Sequence, residues 1–395
     1  MAPSARTLDR RRFLQLGVAA SGLAAAGCAD RAEAPPGPPV AMRTRPFGRT
    51  GLHVSEVSFG AHGTRNAPLL AAALHAGYNL VMTSGSYLDG REEEAVGEAI
   101  ASAGIPRERV VIATGEMIGR GTGANRLRDL IDASLRRLHT EYIDVFYVGA
   151  VESPEELRRD ALHEAIDAAK RAGKVKHLGL SAHTGRVSPI LDAAIADGRF
   201  GAFFIRYDFM SDPDIGATLR RAAEKGIGVA VFKTNAGARQ GEIADLENGG
   251  LSFAEAAAKW ALTNPDVASV LISIRTFDQI RSFAAATGAP LTVSEAAMLR
   301  RYARVMDDRV CRFCRTCEAA CPHGVAVADV NRFAMYFTYY GREKEAMGRY
   351  RALPRRSRAA ECASCDAPCE AACPHARPVR AELAEAHRRL TFARG

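Results

Sequence analysis

Two dense runs of cysteine near the C-terminus constrain the architecture of this chain more than any other feature. Eight of its nine cysteines lie there: Cys311, Cys314, Cys317, Cys321, Cys362, Cys365, Cys369 and Cys373. Each run of four ends in a Cys-Pro pair. Closely spaced thiolates on one tight loop can hold three irons of a cubane, while a fourth thiolate comes from a separate segment. The pattern therefore predicts iron–sulfur clusters and a chain that handles electrons.

The spacing of both runs resembles that of bacterial ferredoxins. The first run matches C-x2-C-x2-C-x3-C-P residue for residue, and the second has one extra residue in its middle gap. In two-cluster ferredoxins the fourth cysteine of each run binds the other cluster. The resemblance implies two [4Fe-4S] clusters with these ligands: Cys311, Cys314, Cys317 and Cys373 for one, and Cys362, Cys365, Cys369 and Cys321 for the other.

Zinc sites and disulfides are the alternatives for these cysteines. Zinc sites usually pair two short CxxC knuckles. Neither zinc nor a disulfide framework requires a proline after the last cysteine of each run. The pattern therefore favours the two clusters.

The N-terminus carries an export signal. Residues 9–15 read D-R-R-R-F-L-Q, which is typical of a twin-arginine signal, and a weakly apolar stretch follows from Phe13 to Gly27. That stretch is too short and too mild for a stable transmembrane helix. The twin-arginine route exports folded proteins, which suits clusters that are assembled in the cytoplasm. We expect a signal peptide over residues 1–28 and a protein that works in the periplasm or on the outer face of the cytoplasmic membrane.

The ninth cysteine, Cys28, ends the apolar stretch in a pattern that resembles a bacterial lipoprotein box, with Ala25 where Leu is usual. Residues 29–41 are rich in Pro and Ala and read as a flexible tether between an anchor and a globular body. We predict lipidation of Cys28; ordinary cleavage near this point, leaving a soluble periplasmic protein, is the alternative. The net charge of +8 comes without any nucleic-acid-binding motif, so nucleic acid is not an expected partner.

Between the two ends, short apolar runs alternate with amphipathic segments. The apolar runs are Val54–Phe59, Asn79–Met82, Val110–Thr114, Ile143–Val148, Val175–Ser181, Ala202–Ile205, Gly228–Phe232 and Ala268–Ile272. Eight strand–helix units predict a (β/α)8 TIM barrel over residues 42–305. A doubly wound sheet is the rival, but no G-x-G-x-x-G motif follows the first strand. A small α-helical ferredoxin-type iron–sulfur domain is then expected over residues 306–395.

The barrel motifs resemble those of the aldo/keto reductase family, and the cysteine runs resemble those of its iron–sulfur branch. The motifs are FGRTGLHVSEVSFG, HAGYNLVMTSGSYLDGREEEAVGEAI, VVIATGE, LRRLHTEYIDVFYV, KVKHLGLSAH and GIGVAVFK. The resemblance implies a barrel that reduces carbonyls with NADPH. In such a barrel Tyr donates the proton, Lys supported by Asp lowers the pKa of that Tyr, and His orients the carbonyl.

This sequence departs from the family at three of those four positions. Tyr87 matches the family's Tyr, but Met82 replaces the Asp, Gly115 the Lys and Gly149 the His. An unassisted phenol has a pKa of about 10, and only a nearby cation or strong hydrogen bonds bring it towards neutral pH. We therefore predict that the standard mechanism is absent and that Tyr87 is a vestigial catalytic residue.

The residues expected to hold NADPH are also only partly present. Ser181 matches the Ser that binds the nicotinamide amide, but Ala182 stands where Asn is expected. Tyr207 matches the stacking aromatic, Lys233 ends the seventh strand, and Arg275 lies where a 2′-phosphate contact could form. The alternative is that Tyr207 only packs and that the two cations are solvated. Because NADPH is not expected outside the cytoplasm, its binding is doubtful.

Four further residues fall near the C-terminal ends of barrel strands, where barrel sites form. They are His62, His183, Arg206 and Lys233, and they could line a remodelled pocket for an anionic or polar ligand. The alternative is that both histidines are ordinary loop residues. The segment Val325–Leu353, rich in Tyr, Phe and Arg, is expected to pack on the barrel; a docking face for a redox partner is the second interpretation.

Three functional hypotheses follow. The first is an exported iron–sulfur oxidoreductase or electron-transfer protein with a degraded catalytic tetrad. The second is an NADPH-dependent carbonyl reductase with atypical catalytic residues. The third is a non-catalytic binding module with structural clusters. The partner is then a redox protein or a small molecule.

Overall fold

The computed structural model of the chain describes residues 42–117, 121–149, 151–183, 187–211, 214–238, 243, 246–247, 252–306 and 311–391. The expected export signal, Cys28 and the linker lie outside these residues.

The described residues form ten β-strands. They are β1 (Thr44–Pro46), β2 (His53–Ser55), β3 (Val57–Gly60), β4 (Leu80–Met82), β5 (Val111–Met117), β6 (Ile143–Gly149), β7 (Val175–Ala182), β8 (Phe200–Arg206), β9 (Gly228–Phe232) and β10 (Ser269–Ile272). Strands β3 to β10 close into a parallel barrel in chain order, with β10 paired to β3. The predicted (β/α)8 barrel is confirmed.

Helices lie between and after these strands. Those within the described residues are α1 (Ala67–His75), α2 (Arg91–Ala103), α3 (Ala124–Arg137), α4 (Asp160–Arg171), α5 (Ser188–Asp197), α6 (Ile215–Glu224), α7 (Phe253–Leu262), α8 (Phe277–Ala286), α9 (Val293–Met306), α10 (Val327–Tyr339), α11 (Glu343–Ala352), α12 (Pro368–Ala371) and α13 (Val379–Leu390). No helix in the described part of the chain is both long enough and apolar enough to cross a membrane.

The barrel has two apolar layers because successive residues of a strand point to opposite faces of the sheet. Val145 and Phe204 fill the interior. Their neighbours Phe146 and Phe203 lie in the layer beneath the helices. Side chains at the C-terminal ends of the strands are thereby sorted into those that face the mouth of the barrel and those that face the helices.

The predicted first strand, Val54–Phe59, is in fact two strands in different sheets. Strand β2 pairs with β1 in a hairpin, and Val54 reaches the barrel interior, whereas β3 belongs to the barrel. The chain turns between them at Glu56, which is buried. Its carboxylate accepts hydrogen bonds from Arg45 Nε at 2.8 Å and from the Gly288 backbone nitrogen at 2.9 Å. An apolar run alone does not reveal this buried charge.

The C-terminal segment, residues 311–391, has its own apolar cluster, in which cysteines pack with side chains such as Val330 and Leu383. It is helical, as predicted; its ferredoxin-type character stays a prediction. Its side chains contact four loops that follow barrel strands: Arg342 with His62, Arg332 with Glu152, Arg312 with Met210 and Tyr336 with Lys233. The segment therefore covers the mouth of the barrel, within the compact unit formed by residues 41–395.

Candidate functional site

The position of the family's lysine is filled by a neighbouring tyrosine. Gly115 on β5 lies beside Tyr147 on β6. A Cβ atom at Gly115 would overlap the Tyr147 carbonyl oxygen and lie 2.6 Å from its ring atom Cδ2. The Tyr147 hydroxyl is buried and donates a hydrogen bond to the Thr83 carbonyl at 2.5 Å. The interior therefore has no space for a lysine here.

Tyr87, the retained tyrosine, lies in a short 3₁₀ turn, Tyr87–Gly90, against the ring of His62 at 4.5 Å between centroids. Burial, with a smaller contribution from the nearby Glu92 charge, raises the pKa of Tyr87 to about 12. A phenol with a raised pKa is a weaker acid, so this environment makes proton donation harder.

Met82, at the position of the family's aspartate, belongs to the apolar interior. His62 is covered by Arg342, whose guanidinium nitrogens lie 3.3 and 3.4 Å from the two imidazole nitrogens. Burial, and then the charge of Arg342, lower the pKa of His62 to about 4. We call Tyr87, Tyr147, Gly115, Met82 and His62 the family corner; it is aromatic and tightly packed.

The candidate NADPH residues do not converge. Ser181 is buried near the end of β7. Tyr207 faces the helical layer, with its ring 5.0 Å from that of Trp260 and its hydroxyl 3.3 Å from Asn264 Nδ2. Arg275 donates to the carbonyls of His62 and Gly63 at 2.7 Å each. Tyr207 thus packs beneath a helix, and Arg275 braces the loop after β3.

Lys233, the fourth candidate, meets a tyrosine of the C-terminal segment. Its ammonium lies 3.3 Å from the hydroxyl of Tyr336 on α10 and 5.3 Å from the centre of that ring. The backbone of Lys233 has φ +59°, which places its side chain differently from that of a regular strand residue. We call Lys233 and Tyr336 the junction pair.

The two members of the junction pair titrate in a direction that favours proton sharing. Burial lowers the pKa of Lys233; Tyr336 opposes this shift, and the charges of Arg332 and Arg206 add to it. Burial opposes ionisation of Tyr336, but Lys233 and Arg332 outweigh it and lower the pKa of that phenol below its ordinary value. A lysine that eases the ionisation of a buried tyrosine is what the family corner lacks.

The junction pair borders a small cavity between the barrel and the C-terminal segment, with room for no more than about one water molecule. We call it the mouth cavity. It is lined by His183, Arg206, Lys233, Ala236, Gly237, Phe313, Arg332, Met335 and Tyr340. Three of these side chains are cationic and three are apolar, so the cavity combines positive charge with hydrophobic walls.

Four cysteines line a second small cavity within the C-terminal segment: Cys311, Cys314, Cys317 and Cys373. We call them the first cysteine group. Burial and the neighbouring thiols raise the pKa of Cys317 to about 12. Protons therefore hold these sulfurs neutral unless a cation among them offsets the desolvation.

The other four cysteines form the second cysteine group: Cys321, Cys362, Cys365 and Cys369. Burial, followed by the charges of the other three, raises the pKa of Cys362 to about 11. Each group thus draws three cysteines from one run and one from the other, which is the grouping that the ferredoxin resemblance implies. Among the described residues, no three Cys, His, Asp or Glu side chains are placed to hold a single metal ion.

The mouth cavity and the first cysteine group share a wall. Phe313 lines the mouth cavity, and its backbone nitrogen donates a hydrogen bond to Cys311 Sγ at 3.4 Å. Its ring also lies 5.2 Å from the guanidinium carbon of Arg206. Arg206 keeps its charge because Asp208 accepts from its Nε at 2.8 Å, and the Cys311 sulfur contributes to its electrostatic environment.

Comparisons with known proteins agree with the barrel and its motifs. The model of the aldo/keto reductase family matches residues 64–241. The uncharacterized oxidoreductase YrpG of Bacillus subtilis is 26% identical over 291 residues, which cover 60% of this chain and 88% of that protein. The L-galactose dehydrogenase of Arabidopsis thaliana is 24% identical over 291 residues, covering 62% of this chain and 88% of that protein.

Solved structures give the same assignment of the fold. The aldo-keto reductase AKR11C1 from Bacillus halodurans, in its holo form, superposes with a TM-score of 0.55 at 22% identity, over 66% of this chain and 96% of that one. The barrel is similar to those of the aldo/keto reductase family, and the chain is an aldo/keto-reductase-like oxidoreductase. Its iron–sulfur branch stays a prediction.

The sequence places His183, Arg206 and Lys233 near the mouth but does not single out their partners in α10 and at the residue that follows it. Arg332, Tyr336 and Tyr340 recur at intervals of four residues, which places them on one face of a helix. That spacing was available in the sequence. The spacing alone does not show which barrel loop this face of the helix contacts.

Proposed function

We propose that this protein is an exported oxidoreductase that carries two [4Fe-4S] clusters and passes electrons between them and a redox partner or a reactant at the mouth of the barrel. The observation that carries the proposal is the wall of Phe313, which joins the cavity of the first cysteine group to the mouth cavity. When bound, the clusters would supply one-electron transfer between the cavity and an external redox partner.

The chemistry of the donor sets fits the clusters. Buried thiols with raised pKa values, such as Cys317 and Cys362, need positive charge to ionise, and iron supplies it. A cubane distributes its four thiolates over four irons, whereas zinc gathers its ligands around one ion at about 2.3 Å. We assign Cys311, Cys314, Cys317 and Cys373 to one cluster and the second cysteine group to the other.

The residues of the barrel support a reaction other than NADPH-dependent carbonyl reduction. Tyr147 fills the space of the lysine at Gly115, and Tyr207 packs on Trp260 rather than facing the mouth. Arg342 and Tyr336 of the C-terminal segment lie over His62 and Lys233. A nicotinamide approaching from the mouth would compete with these side chains.

The export route and the lipid on Cys28 are part of the proposal and rest on the sequence. Export by the twin-arginine route places a protein with clusters assembled in the cytoplasm outside it. This location also separates the protein from NADPH and makes a membrane-associated or periplasmic redox partner the source or acceptor of electrons.

The test is the cofactor content of full-length protein purified without oxygen. We expect about eight irons and eight sulfides per chain, and interacting [4Fe-4S] signals in electron paramagnetic resonance after dithionite reduction. Cys317→Ser should remove about half of the iron. Thr316→Ser, one residue away, keeps every thiol and should leave the iron unchanged. Stoichiometric zinc, or iron without a redox-active signal, would refute the proposal.

A further inference from the structure

The two cysteine groups differ in the charges that lie beside them. Two arginines that line the cavity of the first cysteine group are paired with carboxylates. Arg315 lies 3.0 Å from Asp329, and Arg377 pairs with Glu382. The protein itself therefore offsets these positive charges at the first group.

The second cysteine group lies beside four exposed arginines whose guanidinium groups form no ion pair within the described part of the chain. They are Arg351, Arg355, Arg356 and Arg380. We call them the arginine face. Two exposed carboxylates of the second cysteine run, Glu361 and Asp366, offset only part of this charge. The surface at the second group therefore keeps positive charge that a partner molecule can use.

The loop of residues 351–358, which carries three of these arginines, is fixed to the rest of the segment. Its ends meet where the Ala359 backbone nitrogen donates a hydrogen bond to the Tyr350 hydroxyl at 2.9 Å. Near its C-terminal end, the Ser357 carbonyl accepts from the Ala326 nitrogen at 3.0 Å. Because the loop is bound at these points, its arginines keep defined positions on the surface.

Further contacts join the arginine face to the cysteines. The nitrogen of Val325, the residue before Ala326, donates a hydrogen bond to Cys321 Sγ at 3.4 Å. The Nη1 atom of Arg380 donates to the Cys365 carbonyl at 3.3 Å. Cys365 is itself partly exposed. A molecule that docks on the arginine face therefore comes close to the second cysteine group.

The charge of the face selects the kind of partner. Exposed guanidinium groups fit a surface rich in carboxylates, because complementary charges speed the encounter and fix the orientation of the partner. An anionic membrane is the other candidate. Arg45, near the start of the described residues, donates to the Val267 carbonyl at 2.8 Å, at the end of the barrel opposite the mouth. A lipid tether that joins the protein at this end does not by itself bring the arginine face to a membrane, so we favour a protein.

We propose that the arginine face is the docking site of an acidic electron-carrier protein, which binds over the second cysteine group. That the partner carries electrons rests on the proposed function; that it is acidic rests on the arginine face, and binding itself does not require the clusters. The second cysteine group would then serve the partner, and the first, which shares a wall with the mouth cavity, would serve the barrel.

The test compares two forms of one probe, oxidised cytochrome c and its succinylated derivative, in which carboxylates replace the positive charges of lysines. Titration calorimetry of the full-length, anaerobically purified protein should show about tenfold tighter binding of the succinylated form at an ionic strength of about 0.01 M. The difference should shrink at about 0.15 M, because salt screens exposed charges. Arg355→Gln combined with Arg356→Gln should weaken binding of the succinylated form about tenfold.

Arg300→Gln combined with Arg301→Gln is the matched control. It removes the same charge from another adjacent, exposed pair of arginines, on α9. This helix packs on α7 of the barrel, where the rings of Tyr302 and Phe253 lie 4.9 Å apart. The control variant should bind the succinylated probe as the unsubstituted protein does.

Several outcomes would overturn the inference. They are equal affinity for the two probes, equal losses in the two double variants, or binding to anionic lipid vesicles that depends on Arg355 and Arg356 while the two probes bind alike. The last result would identify a membrane surface instead. Iron content and the dithionite-reduced spectrum are measured on the same samples, so that failure of the docking site and failure of the clusters are seen separately. Binding of the succinylated probe to a chain without iron would refute the proposed function alone.

Discussion

Two regions at the mouth of this barrel shift the pKa of a buried tyrosine in opposite directions. In the family corner, Tyr87 is surrounded by aromatic and apolar side chains, and burial raises its pKa to about 12. At the junction pair, Tyr336 lies beside Lys233, and its pKa falls below the ordinary value although burial opposes the change. Tyr87, which matches the family's tyrosine, is therefore made less acidic, whereas Tyr336 of the C-terminal segment is made more acidic.

The two regions differ in which part of the chain fills them. Tyr147 occupies the space that a lysine at Gly115 would need, so the family corner is filled from within the barrel. The mouth is covered from outside by α10, which brings Tyr336 to Lys233. The polar chemistry of the site therefore lies at the boundary between the barrel and the C-terminal segment.

The largest expected effect tests how tightly the family corner is packed. Gly115→Ala should destabilise the barrel by about 1–3 kcal/mol, because its Cβ would overlap the Tyr147 backbone and force a shift of a well-packed strand. The free energy of unfolding in urea, followed through the single tryptophan, Trp260 on α7, measures the barrel directly.

Gly216→Ala is the control for this substitution. A Cβ atom there meets no other atom within 4 Å, and Gly216 lies in the first turn of α6. Its effect should be small and stabilising, at most about 1 kcal/mol, since Ala favours helix more than Gly does. If Gly115→Ala is equally harmless, the family corner has free space and the explanation for its missing lysine is wrong.

A smaller effect tests the hydrogen bond of the junction pair. Tyr336→Phe should lower the free energy of unfolding by about 0.5–1.5 kcal/mol, because Lys233 loses its hydrogen bond to the Tyr336 hydroxyl. Urea unfolding followed through Trp260 at neutral pH measures the loss. An unchanged free energy of unfolding would mean that this contact does not stabilise the packing of α10 on the barrel.

The sequence predicts the barrel well because each apolar run and each motif involves residues that are close together in the chain. Each barrel strand except the first falls on an apolar run, and helix α8 coincides with the predicted segment Phe277–Ala286. The loss of the family's lysine is equally visible as Gly115 in the motif VVIATGE. These features depend on residues that are neighbours in the chain or aligned by a motif.

The junction pair was beyond such reasoning because its members are 103 residues apart. In the sequence, Lys233 is one cation at a strand end, and Tyr336 is one aromatic residue among many in Val325–Leu353. The two residues are in contact because α10 packs on the mouth of the barrel. Tyr207 illustrates the reverse case: a motif suggests a stacking residue, but the alternation of β8 turns its ring towards Trp260.

The smallest expected effect concerns the pH dependence of stability at the two corners. The lowered pKa of Tyr336 means that the folded state favours its phenolate, so its contribution to stability grows as pH rises through the folded pKa towards the unfolded value of about 10. The raised pKa of Tyr87 has the opposite sign: its contribution is complete below pH of about 10 and is lost only as pH rises towards about 12. Between neutral pH and pH 10, the difference in free energy of unfolding between the unsubstituted protein and Tyr336→Phe should therefore increase, while that for Tyr87→Phe should stay constant. Urea unfolding followed through Trp260 at a series of pH values measures both. A constant difference for Tyr336→Phe would mean that Lys233 does not ease the ionisation of its partner, and the two corners would then be electrostatically alike.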